Sequence, residues 1–200
     1  MSSELIFRAT FSFLWFVFFG IFGWVAHSTR WSAGRRTSRR TNEFRGVALV
    51  FAAVYFAGAL VYALVPSWIL LLSMPLPAAF RLFMMGVAVL GMLFVLWALR
   101  TLGRNWAPSV SGVRMDTVLV TAGPYGLIRH PIYFGAFVFL VAQALIAANL
   151  ILLLPTLALV TLLYMQLPEE ERMLIERFGD DYREYMKRTP RFIPRPRHEP

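Results

Sequence analysis

The chain has 200 residues, 58% of them hydrophobic and 16% charged, with a formal net charge of +9 and no cysteine. Soluble domains are about 45–50% apolar, so this composition excludes a soluble globule, and the lack of Gly-X-Y or proline repeats excludes a fibrous chain. An integral membrane protein is the expected class, and disulfides and thiolate-ligated metals are excluded.

A helix crossing about 30 Å of hydrocarbon needs about 20 apolar residues. Residues 5–26 form the first such run, interrupted only by Arg8. It is too long and too aromatic for a signal-peptide core, and no small-residue cleavage site follows it. Residues 46–65 form a second, uncharged run. The segment 66–77 holds three prolines and reads as a loop or a short re-entrant piece. Residues 78–99 form the third run, with Arg81 near its outer end. Residues 132–167 are 36 residues without a charge, too many for one span and right for a helical hairpin joined tightly around Asn149 and Pro155. The expected fold is therefore an all-α integral membrane protein with about five transmembrane helices.

The positive-inside rule orients these spans. With the N-terminus outside, the loop 27–45, the segment 100–129 and the tail after residue 167 share the cytoplasmic side. Together they carry eighteen of the twenty basic residues, only Arg8 and Arg81 falling elsewhere. A bacterial or archaeal inner membrane is favoured over the endoplasmic reticulum. The arginine-rich loop 27–45 reads as a topology anchor on anionic lipid. A nucleic-acid surface wants interleaved aromatics, and this loop has only Trp31 and Phe44, so no nucleic-acid partner is expected.

The tail LPEEERMLIERFGDDYREYMKRTPRFIP is amphipathic. Pro168 permits a helix start just after it, with Glu169, Glu170 and Glu171 in a first turn that suits the helix dipole. Leu174, Phe178, Tyr182 and Tyr185 share a face, and Gly179 with Asp180 reads as a stop followed by a new N-cap. The tail is either an interfacial helix or a lid over a cytoplasmic cavity. Three consecutive carboxylates do not suit an anionic lipid surface, so at least one is expected to point inward to a partner.

In the segment GPYGLIRHPIYFG, Gly123-Pro124 is a turn signal and Pro131 opens the hairpin. Residues 117–121 are β-branched enough to run extended. Arg129, His130 and Tyr133 then gather at a helix N-terminus, where free N–H groups favour anions. His130 alone reads as a cap or a functional group. It forms no metal pair, because His27 and His198 lack ligand spacing with it.

LVTAGPYGLIRHPIYFG, followed by an uncharged hairpin and EEERMLIERFGDDYREYMKRTPRFIP, resembles the isoprenylcysteine carboxyl methyltransferase family, membrane enzymes close in pattern to phospholipid methyltransferases. The resemblance covers about residues 100–195 and extends to the LGxxW-like stretch Leu102-Gly103 and Asn105-Trp106. With no repeat or linker, one membrane domain is expected over 1–200, with the three N-terminal helices in 1–99; the resemblance implies a cofactor-binding half in 100–200 whose amphipathic tail covers the pocket.

The resemblance further implies S-adenosylmethionine as cofactor, held by Thr117, Val118, Leu119, Val120, Tyr125, His130, Pro131, Ile132, Tyr133 and Glu170, the last being the buried glutamate. A carboxylate and aromatic faces suit a sulfonium cation. Arg129 suits the cofactor carboxylate and, with Gln166, is a candidate catalytic residue. The isoprenylcysteine enzymes carry arginine where this chain has Gln166. A neutral amide does not pair a carboxylate bidentately, which leaves amines, thiols or other lipophilic acceptors. The expected partners are membrane lipids and a lipophilic small-molecule or lipid-linked substrate. Two alternatives remain: an NADPH-dependent membrane sterol-type reductase, which shares an RHPxYxG-like stretch, and a non-enzymatic membrane protein that retains the fold.

Overall fold

A computed structural model describes residues 2–28, 39–65, 72–105 and 118–194. Among them are six α-helices: α1 Ser2–Ser28, α2 Arg39–Leu64, α3 Ala78–Leu102, α4 Pro131–Ala147, α5 Leu150–Phe178 and α6 Asp180–Arg188. α1, α2, α3 and α5 are long and apolar enough to cross a membrane, and α4 is a 17-residue apolar helix. At about 1.5 Å per residue α4 is roughly 25 Å long, at the lower end of spanning length. In the most apolar stretch of each long helix no more than 28% of residues are buried inside the protein. The rest of that apolar surface faces outward, as a lipid-embedded bundle requires.

The core forms where α1 packs against α2, α3 and α4. Phe7, Phe11, Leu14 and Phe18 recur at helical spacing and are buried, and Phe18 stacks on Phe139 with ring centroids 3.9 Å apart. α3 and α4 approach closely at two glycines. A Cβ on Gly135 would lie 2.7 Å from Val95 Cγ2 and 2.9 Å from the Gly91 carbonyl oxygen. The glycine that ends the GPYGLIRHPIYFG stretch therefore serves helix contact, as small residues do between membrane helices.

The hairpin turns at Ala148 and Asn149. Ala148 is left-handed at φ 51°, and the Asn149 side chain caps α5 by accepting from Ile151 N at 2.8 Å. Pro155 lies inside α5 and takes no part in the turn. Pro168 also lies inside α5, so no helix starts after it and the three glutamates are not a first turn. Its ring removes only the hydrogen bond to the Tyr164 carbonyl, while buried Leu167 and Glu171 hold the helix on either side. With 29 residues, α5 is roughly 43 Å long and extends past the hydrocarbon. Gly179, at φ 59°, ends α5 and is itself the N-cap of α6, the place expected for Asp180.

Arg8 and Arg81 lie together at the end of the bundle away from the 123–131 loop. Arg81 clasps Glu4 through two hydrogen bonds of 2.7 and 2.9 Å, donates to the Ile146 carbonyl and stacks on Phe7. Arg8 donates to the Tyr62 and Ala63 carbonyls at the end of α2. An apolar crevice of about 280 Å³ between α2 and α5, lined by Val54, Gly58, Tyr62 and Leu152, opens near that same end. It is remote from the motif residues.

Candidate active site

At the opposite end, the loop before α4 and the chain after α5 close on each other. Gly123–Gly126 forms a tight turn that buries Pro124 and Tyr125. Gly123 is left-handed at φ 57°, and a Cβ there would press on Thr101 at 3.1 Å. His130 occupies the N-cap position of α4 and Pro131 the first helical position, where a missing N–H is tolerated.

Glu171 is the centre of the arrangement and is only 3% exposed. Its Oε1 accepts from Arg129 Nε and Nη2 at 3.1 and 2.8 Å and from Arg191 Nε at 3.2 Å. Its Oε2 accepts from Arg191 Nη2. His130 Nε2 lies 3.1 Å from Oε1, a contact that requires the proton on that nitrogen because a carboxylate only accepts. A buried carboxylate is tolerable only when paired and hydrogen-bonded in this way.

Arg129 is engaged in the same network through most of its donors. Its Nη1 donates to the Met186 and Thr189 carbonyls at 3.2 and 2.6 Å, so with Glu171 four of its five N–H groups are used. In this structure Arg129 braces the loop against α5 and the tail, which leaves one of its N–H groups for the cofactor carboxylate expected there. The inward-pointing glutamate is Glu171, in place of Glu170.

Glu170 is half-buried, and its Oε2 accepts from the Tyr133 hydroxyl at 2.7 Å, joining the two halves of the hairpin. Gln166 lies one turn before it on α5, so the two share a face. The Gln166 Nε2 is buried and has no hydrogen-bond partner among the described residues. Of the remaining candidates, Thr117 lies outside the described residues. Val118 is 65% exposed, with its N–H on Asn105 Oδ1 at 3.0 Å, and Leu119 and Val120 are half-buried. Tyr125, His130 and Pro131 are buried, whereas Ile132 packs toward the hydrophobic core. The structure thus brings His130, Tyr133 and Glu170 together.

Sequence reasoning missed the segment after α6. The backbone N–H groups of Arg129 and His130 donate to the Pro190 and Arg191 carbonyls at 2.9 and 3.3 Å. The Phe192 ring meets His130, Phe134, Phe137 and Tyr164 at centroid distances of 5.8–6.4 Å. The Tyr185 hydroxyl donates to the Tyr125 carbonyl at 2.6 Å. Burial raises the phenol pKa values of Tyr125, Tyr182 and Tyr185 above their ordinary range, so all three stay protonated donors. The hydrogen bond to Glu171 raises the Arg191 pKa. The available signal was Arg191-Phe192-Ile193 between Pro190 and Pro194, an arginine and an aromatic held between two prolines. Among the described residues no group of three or more His, Asp or Glu is placed to hold a metal ion.

Residues 84–176 match the sequence profile of the Isoprenylcysteine carboxyl methyltransferase (ICMT) family. The chain is 35% identical to the nickel-cobalt-cadmium resistance protein NccN of Alcaligenes xylosoxydans xylosoxydans, across 55% of this chain and 51% of that protein. It is 32% identical to the protein-S-isoprenylcysteine O-methyltransferase of Schizosaccharomyces pombe, across 55% and 48%. The chain thus spans about half the length of these curated relatives. The solved eukaryotic intramembrane Ras methyltransferase ICMT superposes with a TM-score of 0.52 at 25% identity, over 80% of this chain and 54% of that one. The matched stretch, 93 of the 200 residues, holds Arg129, His130, Tyr133, Glu170 and Glu171 on one bundle end, and it is in this stretch that the chain is similar to the isoprenylcysteine carboxyl methyltransferase family.

Proposed function

We propose that this protein is an S-adenosylmethionine-dependent membrane methyltransferase acting on a lipophilic acceptor at the cytoplasmic face. The observation that carries this reading is the 2.7 Å hydrogen bond from Tyr133 to Glu170, made between the two helices of the hairpin beside the Glu171 cluster. It presents a half-buried carboxylate and aromatic rings beside a buried histidine, a donor set suited to a sulfonium nucleoside. Tyr125, His130, Tyr133 and Glu170 would hold the cofactor, with Thr117, Val118, Leu119 and Val120 along its nucleoside and Pro131 and Ile132 at the helix start.

When bound, that cofactor supplies an electrophilic methyl group. The chain's own contribution is to bind, align and exclude water, since methyl transfer depends above all on proximity and in-line geometry. Gln166, one turn from Glu170 with an unpaired buried donor, faces the acceptor in this reading. A neutral amide there suits a neutral acceptor atom and disfavours a carboxylate. The acceptor is lipophilic because the site adjoins the lipid-facing aromatics Phe134 and Tyr164, 38% and 46% exposed. The arginine distribution supports the cytoplasmic side and an N-terminus outside.

A thermal-shift titration of the detergent-solubilised protein tests this. S-adenosylhomocysteine is expected to raise the apparent Tm with concentration, as a ligand of the native state does. Stabilisation by NADPH with none by S-adenosylhomocysteine or S-adenosylmethionine would overturn the reading in favour of a reductase. Stabilisation by none of these ligands would overturn it in favour of a non-enzymatic protein.

A further inference from the structure

The Glu171 cluster contains one more guanidinium than its carboxylate requires. Arg129 and Arg191 both converge on Glu171, which is only 3% exposed. Two cations on one anion leave an uncompensated positive charge in a half-dry site, where such a charge attracts an anionic group strongly. The neighbouring Glu170 carboxylate is hydrogen-bonded to Tyr133.

The two arginines differ in what they have left to give. The Arg129 side chain is 9% exposed, and four of its five N–H groups are committed to Glu171, Met186 and Thr189. The Arg191 side chain is 30% exposed. It gives Glu171 its Nε and one Nη2 hydrogen bond and lies against the Tyr164 phenol. Its backbone is fixed beside His130 by the bond from His130 N to its carbonyl at 3.3 Å, and the next residue, Phe192, covers the His130 ring. Arg191 is therefore held next to the candidate cofactor residues, and its guanidinium still reaches solvent.

We propose that Arg191 supplies the guanidinium that receives the α-carboxylate of the bound nucleoside cofactor. Glu171 fixes one edge of that guanidinium, and the exposed edge takes the ligand. This inference rests on the methyltransferase reading and assigns a binding residue fifteen positions beyond the end of the family match at residue 176.

The test is a double-mutant cycle by calorimetry in detergent with two probes: S-adenosylhomocysteine and its analogue lacking the α-carboxylate. Wild type is expected to favour S-adenosylhomocysteine by about ten-fold or more, the usual size of a charge-assisted hydrogen bond. Arg191→Met is expected to bind both probes with Kd values within about two-fold, and Arg191→Lys to recover part of the preference. The Met variant keeps Glu171 paired with Arg129 and His130, so the fold has its buried charge compensated. Should it fail to fold, the Lys variant alone decides, because a point charge without the planar fork must narrow the preference. A merely structural Arg191 would weaken both probes equally and preserve the preference, which overturns the inference. Wild type binding neither probe would overturn the methyltransferase reading itself; wild type binding both equally would overturn only the role of a carboxylate contact.

Discussion

The Tyr133 hydroxyl donates to Glu170 Oε2 at 2.7 Å, joining α4 to α5 from positions 37 residues apart. A hydrogen bond to a charged group contributes about 1.5–3 kcal/mol. Tyr133→Phe and Glu170→Gln are each expected to raise the Kd of S-adenosylhomocysteine by about ten-fold. The double variant should be clearly less than additive, because the two side chains act as a unit. Full additivity in a calorimetric cycle would mean that the pair does not hold one ligand together.

Adjacent glutamates differ in what depends on them. Glu171 pairs with two guanidiniums, whereas Glu169 pairs with exposed Arg172 on the same helix. Glu171→Ala leaves Arg129 buried without its carboxylate, which costs about 3–5 kcal/mol. The apparent Tm is expected to fall by about 10 °C or more. Glu169→Ala is expected to leave Tm unchanged, since exposed ion pairs contribute little. Scanning fluorimetry of the two variants side by side checks this, and equal shifts would contradict the central place of Glu171.

Gly135 and Gly86 offer a matched comparison. An added methyl at Gly135 meets Val95 at 2.7 Å and the Gly91 backbone at 2.9 Å, while at Gly86 it meets nothing within 4 Å. Gly135→Ala is expected to destabilise the fold by about 1–3 kcal/mol through forced separation of α3 and α4. Gly86→Ala should be neutral or slightly stabilising, since alanine is the better helix former. Equal stability of the two variants in detergent unfolding would show that the close approach is dispensable.

Gln166 is the place where acceptor and cofactor effects separate. Its Nε2 has no partner to lose among the described residues, so Gln166→Leu should leave Tm within a few degrees. Both Gln166→Leu and Gln166→Arg are expected to keep the S-adenosylhomocysteine Kd within about two-fold. Radiolabelled methyl transfer to lipid, amine, thiol and prenylcysteine panels should shift between acceptors, with the arginine variant gaining carboxylate acceptors. A large loss of cofactor affinity would instead place this side chain in the nucleoside pocket.

Hydrophobic run length is a one-dimensional property, so the spans, the hairpin and the pairing of GPYGLIRHPIYFG with the glutamate trio were legible before any contact was known. The placement of Arg8 and Arg81 apart from the other basic residues was legible for the same reason. Their ion pair and carbonyl partners were not, because those come from three different helices. Neighbouring residues on a helix point about 100° apart, so nothing in EEER tells which glutamate faces the loop. Only the rotation of α5 against α4 decides that Glu171 meets Arg129 and His130 while Glu170 meets Tyr133. Pro168 reads locally as a helix start, yet packing of Leu167 and Glu171 carries α5 through it. Arg129 stands well placed for a ligand until the tail returns and takes part of its donors. The sequence by itself determined the all-helical membrane class, the order of its apolar runs and the motifs that resemble the family. The tertiary structure decided which charges are buried together and which arginine stays partly exposed, because a side chain's partners depend on how distant segments pack.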